Sequence, residues 1–198
     1  MTHPSDGARG GVLSAGSVRR VLGQLPRVSL ASLPTPLDVC ERLSSELGVH
    51  LSVKRDDLTG LAFGGNKVRQ HEFVLGDAVA QGADCLIQGS ASQSNHSRQL
   101  AAAGAKLGLE TFLLPKEDPR SKSLQGNYLV DHLLGAQIRP IGVEESSVAA
   151  KAKLAEDLRA HGRTPYITGM GSDRALALSA IAYVDAVCEL VEQLGDQP

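Results

Sequence analysis

Short apolar runs alternate with longer amphipathic stretches along most of this chain. "DCLIQGS" (84–90), "LETFLLP" (109–115), "AQIRPIG" (136–142) and "TPYITG" (164–169) each read as a short strand. The segments that follow them carry helical spacing, over about 95–107, 121–134, 145–161 and 174–194. Gly82, Gly108, Gly135 and Gly162 fall near predicted helix ends, where a left-handed C-cap is favoured. Strands that alternate with helices predict an α/β fold, a parallel sheet with flanking helices.

Upstream of this rhythm, "LPTPL" (33–37) reads as a short extended piece. "DVCERLSSELG" (38–48) places Val39, Leu43 and Leu47 at helical spacing and closes on a glycine. "LSVKRDDL" (51–58) predicts a strand that enters a turn, and a further helix is expected over about 66–81. The composition of the first 26 residues cannot bury surface, so they are expected to be a disordered tail; they also lack the apolar core of a signal peptide. In the last helix Leu176, Ala180, Val184, Val187, Val191 and Leu194 form one apolar stripe, with Asp185, Glu189 and Glu192 on a more polar side. In this rhythm another strand should follow, so the chain is expected to be incomplete relative to its fold.

Composition narrows the function. The chain has 198 residues, 42% of them hydrophobic, enough for a real core. A formal net charge of −2 provides no basic field for nucleic acid or an acidic membrane. Aromatics at 3% and no Trp argue against a base-stacking surface. No apolar run approaches the roughly 20 residues of a membrane helix. Cys40, Cys85 and Cys188 are odd in number and lie far apart, suggesting neither a disulfide framework nor a zinc ribbon, so a reduced, cytoplasmic setting is expected.

In open α/β sheets ligands bind beyond the carboxyl ends of the strands. The loop after the first repeated strand, "GSASQSNHSRQ" (89–99), carries Ser90, Ser92, Gln93, Ser94, Asn95, His96 and Ser97 in close succession. With a helix N-terminus behind it, this loop suits an anionic ligand group; taken singly, Ser94 or Asn95 reads instead as a simple helix cap. In "TGMGSDRA" (168–175), Ser172 or Asp173 is expected to cap the next helix. The stretch "FGGNKVRQHEF" (63–73) is more unusual. It puts Lys67 and Arg69 in the first turn of a helix, the end that disfavours cations. An amine there, beside Arg69 and partly desolvated, should lose its proton more readily. A neutral amine is what Schiff-base chemistry requires. Gly64 and Gly65 are expected to let the backbone pass close to a flat ligand. On spacing alone, a solvated surface lysine remains the alternative.

"GGNKVR" followed by "QSNHSRQ" resembles the 1-aminocyclopropane-1-carboxylate deaminase and D-cysteine desulfhydrase family, pyridoxal-phosphate enzymes of the tryptophan-synthase-β-like fold (fold type II). The resemblance covers roughly residues 33–194, including "LPTPL", "KRDDLTG" and "YITGMGSDRALALSAIAYVDA". It implies that Lys67 binds pyridoxal 5'-phosphate covalently, that Asn95 hydrogen-bonds the ring 3-oxygen, and that Ser94 contacts substrate and acts catalytically. Backbone amides near Asn95 and His96 would take the substrate carboxylate. Gln70 and His71 depart from the Lys-Leu pair common in the family, and His96 is closer to the desulfhydrase branch than to the deaminase branch, which typically has glutamine.

The resemblance further implies a large-domain segment at 27–68, a small α/β domain at 69–170, and a helix at 171–198 returning to an incomplete large domain. The cofactor-phosphate loop, the group facing the pyridine nitrogen and a substrate-side tyrosine are expected beyond residue 198. The partners implied are a small amino-acid substrate and either a homodimer mate or a complementing C-terminal chain. A reading from a different class is a folded, non-catalytic domain that binds a partner, which predicts an exposed apolar face on the last helix. Neither a GxGxxG nor a P-loop pattern follows any strand, which weighs against a generic nucleotide-binding domain.

Overall fold

The computed structural model describes residues 14–118 and 123–195. Its elements, in chain order, are α1 (Ala15–Leu22), β1 (Leu37–Val39), α2 (Glu41–Leu47), β2 (Ser52–Lys54), α3 (Lys67–Ala80), β3 (Cys85–Gln88), α4 (Asn95–Leu107), β4 (Glu110–Leu113), α5 (Gly126–Leu133), β5 (Gln137–Ile138), α6 (Ser147–Ala160), β6 (Pro165–Ile167) and α7 (Asp173–Leu194). Two single-turn 3₁₀ helices, Asp56–Leu58 and Leu61–Phe63, lie between β2 and α3. Residues 119–122, which include the expected start of the 121–134 helix, lie outside the described residues.

β3 to β6 form one parallel sheet in the order β5-β4-β3-β6. Period-2 alternation sends neighbouring side chains to opposite faces. Leu86, Leu113 and Tyr166 therefore join the core built by α3, α4 and α7 through Phe73, Val74, Leu100, Ala103 and Leu178. Cys85, Ile87 and Phe112 face the other way, onto Ala150, Leu154 and Ala155 of α6. Helices cover both faces, as a parallel sheet requires. Gly82, Gly108, Gly135 and Gly162, placed near helix ends by the sequence reading, all take φ between 71° and 78°.

Two expectations need correction. Residues 1–13 of the expected tail lie outside the described residues, but α1 occupies its second part. Ser14 caps α1 by accepting from the Ser17 amide at 3.2 Å, and Arg19 reaches Asp185 and Glu192 on α7 at 3.2 and 2.8 Å. Its ordering depends on partners 166 and 173 residues away, which local composition cannot reveal.

The pattern of α7 left its orientation open; in the structure Asp185 and Glu189 of its polar side face inward, while Glu192 is exposed. Asp185 and Glu189 are each 4% exposed, whereas Val184, Val187 and Val191 of the apolar stripe are 44–57% exposed. Two arginines account for this, the partly exposed Arg27 and the buried Arg69: Asp185 pairs with Arg27, and Glu189 with Arg69. The second correction concerns residues 38–48. Val39 belongs to β1, paired antiparallel with β2, and the helix begins only at Glu41. Val39, Leu43 and Leu47 are exposed there.

All three cysteines are free. Among the described residues no helix is long and apolar enough to cross a membrane. Nor does any group of three or more His, Cys, Asp and Glu among them gather to hold a metal ion.

Candidate active site

β3 lies at the switch point of the sheet. The chain leaves it through α4 for β4 on one side, and returns from β5 through α6 to β6 on the other. Crossovers that diverge in this way open a crevice beyond the carboxyl end of the strand. The polar loop 89–97 begins at that end. Ser94 holds an extended backbone, and its Oγ accepts the Ser97 amide at 3.3 Å, so it caps α4. Asn95 and His96 form the first turn, where helical amides lack intrahelical acceptors. Asn127, in the first turn of α5, clamps this loop. Its side-chain amide donates to Gln93 O at 2.8 Å and to Asn95 Oδ1 at 2.9 Å, and its backbone amide donates to Gln93 Oε1 at 2.9 Å.

The segment that delivers Lys67 has an unusual backbone. Ala62, Phe63, Gly64 and Gly65 take φ of 45°, 68°, 72° and 124° in succession. Non-glycine residues in this region cost on the order of 1–3 kcal/mol each and persist only where the surroundings fix them. The fixing contacts are present. The Gly65 amide donates to Asp56 O at 2.8 Å and to Thr59 Oγ1 at 3.0 Å, and Thr59 is fully buried. The two glycines also serve a different purpose from the one expected. A Cβ on Gly64 would lie 1.8 Å from the Asp57 carbonyl oxygen, and one on Gly65 would lie 2.6 Å from Gln99 Nε2. The close approach they allow is to the protein itself.

Lys67 opens α3 and is half-buried. The preceding Asn66 donates from its side-chain amide to Tyr183 Oη at 2.5 Å. Arg69 is not the free cation expected beside Lys67. It is 1% exposed, and its guanidinium pairs with Asp56 at 2.8 Å and Glu189 at 2.9 Å.

The first turns of α3 and α4 are bound together. The Gly64 carbonyl accepts from Arg98 Nη2 at 2.9 Å and from Gln99 Nε2. His71, one helical turn beyond Lys67, donates from Nε2 to the His96 carbonyl at 3.2 Å, and the two imidazoles meet edge to face at 4.6 Å. Burial and the neighbouring His96 and Lys67 charges press the His71 imidazole well below its ordinary range. Burial, with Lys67 and Lys151 nearby, brings His96 down to about 4. Both rings are therefore neutral at pH 7. Lys67 and His96 thus stand within electrostatic reach of each other, with Ser94 and Asn95 adjacent.

The loop 168–175 behaves as a structural support. Ser172 Oγ accepts the Ala175 amide at 3.2 Å and caps α7, as expected. Thr168 donates from Oγ1 to Gln88 Oε1 at 2.6 Å. Lys151 of α6, 1% exposed, donates to the Thr168 carbonyl at 3.0 Å and to that of Met170. Burial lowers its amine to about 8. Arg98, Asn127, Lys151 and Tyr183 were not singled out from sequence. His71 was noted only as a departure from the family's pattern, although its place four residues after Lys67 on one helix face was a usable signal.

The depressed His96 value has a consequence for stability. Unfolded, this imidazole titrates near 6.5; folded, it resists protonation down to about 4. The folded state therefore loses ground as pH falls from 6.5 toward 4. Replacing His96 with glutamine is expected to remove about 2 kcal/mol of this acid-induced loss, a value discounted for screening. Urea titrations at pH 7 and pH 4.5 on parent and His96→Gln measure it. Equal losses in both proteins would contradict the assignment.

Residues 28–198 match the family model described as pyridoxal-phosphate dependent enzyme. The chain is 40% identical over 179 residues to a protein of Pyrococcus abyssi provisionally named a 1-aminocyclopropane-1-carboxylate deaminase, covering 89% of this chain and 53% of that protein. It is 40% identical over 181 residues to the D-cysteine desulfhydrase of Serratia proteamaculans, covering 89% of this chain and 54% of that protein. Among solved structures, a homologue of ACC deaminase superposes with a TM-score of 0.80 at 35% identity, over 91% of this chain and 54% of that one. The diaminopropionate ammonia lyase of Escherichia coli shares the fold at a TM-score of 0.64 and 18% identity, over 90% of this chain and 51% of that one. The chain spans about half the length of the curated relatives it matches. With a parallel α/β sheet of matching architecture and a match that runs through both the Lys67 turn and the 89–97 loop, the chain belongs to the family of pyridoxal-phosphate dependent enzymes.

Proposed function

We propose that this chain carries the lysine-bearing part of a deaminase or lyase site that converts a small amino acid to a 2-oxo acid and ammonia, with D-cysteine or 1-aminocyclopropane-1-carboxylate as the substrate type. The observation that carries the reading is the bonding of the Lys67 turn to the Ser94–His96 turn at the carboxyl end of β3. The donor set fits pyridoxal 5'-phosphate: an amine for its aldehyde, an amide for its ring oxygen, and a helix N-terminus for an anionic group. When bound, the cofactor supplies an electron sink for carbanion chemistry.

In this reading Lys67 would hold the cofactor and move a proton at the substrate carbon. Asn95, oriented by Asn127, would donate to the ring oxygen. Ser94 contacts substrate and shares in proton movement. The first-turn amides at Asn95 and His96 receive the substrate carboxylate, and His96, being neutral, offers a hydrogen bond without a second positive charge. Residues 27–68 and 171–198 would belong to a large domain and 69–170 to a small one. A homodimer mate or a complementing C-terminal chain would add the remaining cofactor contacts.

A second reading, a non-catalytic partner-binding domain, is favoured by the exposed Val184, Val187 and Val191 stripe, since contiguous exposed apolar surface marks interaction sites. An assay separates the two. The purified chain is incubated with pyridoxal phosphate and D-cysteine or 1-aminocyclopropane-1-carboxylate, and ammonia, 2-oxo acid and sulfide are measured. Sulfide with D-cysteine places the chain with the desulfhydrases; 2-oxobutanoate from the cyclic substrate places it with the deaminases. No product with either, together with no retained cofactor, supports the partner-binding reading.

A further inference from the structure

Arg98 occupies an unusual position between the two turns that build the site. It lies on α4, one turn beyond Asn95. Its Nη2 donates to the Gly64 carbonyl at 2.9 Å, three residues before Lys67. Its Nη1 donates to Asn127 Oδ1 at 3.2 Å. The same Asn127 side chain, through its amide nitrogen, holds Asn95 Oδ1 at 2.9 Å. One guanidinium and one amide therefore connect the strained turn that presents Lys67 with the side chain proposed to face the cofactor ring. The guanidinium also lies 5.9 Å from the Phe63 ring centroid, within cation–π range of a residue in that strained turn.

The surroundings show that this arginine was not placed for simple pairing. Its Nε is buried without a hydrogen-bond partner. Asp131 of α5, 2% exposed, stands within electrostatic reach, yet its Oδ1 is also buried and unpartnered. Burial raises the Asp131 carboxyl to about 7 against the opposing pull of Arg98. An arginine free to seek its strongest bond would take that carboxylate bidentately. Here both terminal nitrogens go to neutral oxygens on two different segments, which is the geometry of a spacer.

We propose that Arg98 and Asn127 form a positioning bridge that sets the separation of the Lys67 turn from the Asn95 loop. The bridge is a property of the fold. Its consequence for cofactor chemistry rests on the proposed function above, so the two are read separately.

Hydrogen exchange on the cofactor-free chain tests the bridge directly. Each hydrogen bond of this kind contributes roughly 1 kcal/mol, equivalent to about fivefold in local opening. Arg98→Ala is expected to speed exchange about fivefold or more in two separated segments, 63–67 and 93–97, with 84–88 of β3 unchanged. Asn127→Ala should affect 93–97 alone, and it serves as the working variant if Arg98→Ala does not fold. Arg98→Lys keeps the charge but not the fork, and should restore only the 63–67 segment. Faster exchange in one segment only for Arg98→Ala, or no change at 93–97 for Asn127→Ala, overturns the proposal.

With added pyridoxal phosphate, the visible band of the parent is expected to shift or weaken in both alanine variants, measured well below the melting temperature of each. If exchange responds as expected while the parent itself retains no cofactor, the bridge stands and the chain alone is not the enzyme. A band unchanged in both variants removes the bridge from the cofactor's environment.

Discussion

Replacing Arg69 with alanine is expected to destabilise the fold by about 3–5 kcal/mol, the range for removing one partner of a buried ion pair. The loss exceeds that of a surface salt bridge because three groups depend on this guanidinium. Asp56 receives two of its hydrogen bonds at 2.9 and 2.8 Å, Glu189 receives two at 2.9 and 3.2 Å, and Thr35 Oγ1 receives one at 3.0 Å. Lys54 lies 2.5 Å from Glu189, but it is committed to the Thr35 carbonyl as well and cannot also serve Asp56. Burial alone would raise the Glu189 carboxyl; hydrogen bonds from Arg69 and Lys54 outweigh it and hold the group at about 2.

The sign of the pH effect follows. Glu189 is depressed below its ordinary 4.5, so its contribution is present above that value and is lost as pH falls toward 2. Urea denaturation at pH 7 measures the Arg69→Ala loss. The double variant Arg69→Met/Glu189→Gln should lose clearly less than the sum of its singles, because it leaves fewer unpaired charges behind. Additive losses would show that the two residues act independently. Arg69 shares α3 with Lys67, and the backbone of its partner Asp56 holds the Gly65 amide. The same variant should therefore loosen the Lys67 turn before the sheet is affected.

This network also explains why the sequence was informative in some places and silent in others. Strands β3 to β6 and the helices between them are legible because each depends on local periodicity. The α4 boundaries match the expected 95–107, since Ser94 supplies a local N-cap and Gly108 a local C-cap. The site motifs are legible because their residue types are rare in combination. What escapes is set by distant pairing. The inward polar face of α7 depends on Arg27 and Arg69, and the order of α1 on Asp185 and Glu192, none of which leaves a periodic trace. Gly64 and Gly65 were recognisable as a special turn, but its purpose was not, because the atoms they accommodate belong to Asp57 and Gln99. Likewise, nothing local to "QGNYLVDHL" (125–133) shows that Asn127 holds the loop of Asn95.

Lys67→Ala is expected to abolish covalent retention of pyridoxal phosphate and, with it, any turnover, by a factor on the order of 10³ or more. Lys151 is the competitor that makes the test discriminating. Burial lowers its amine to about 8, which makes it a candidate nucleophile. Geometry decides otherwise: Lys151 is 1% exposed and gives its hydrogen bonds to the Thr168 and Met170 carbonyls, while Lys67 is half-buried beside the crevice at the end of β3. The parent, Lys67→Ala and Lys151→Met chains are each incubated with pyridoxal phosphate, treated with borohydride and digested. The parent should carry the label on the peptide containing Lys67, and Lys151→Met should carry it at the same place. Lys67→Ala should carry none there and none at Lys151. Label at Lys151 in the parent would overturn the assignment of Lys67. It would also shift the site toward the loop 168–175, where the buried amine would have to leave two backbone carbonyls in order to react.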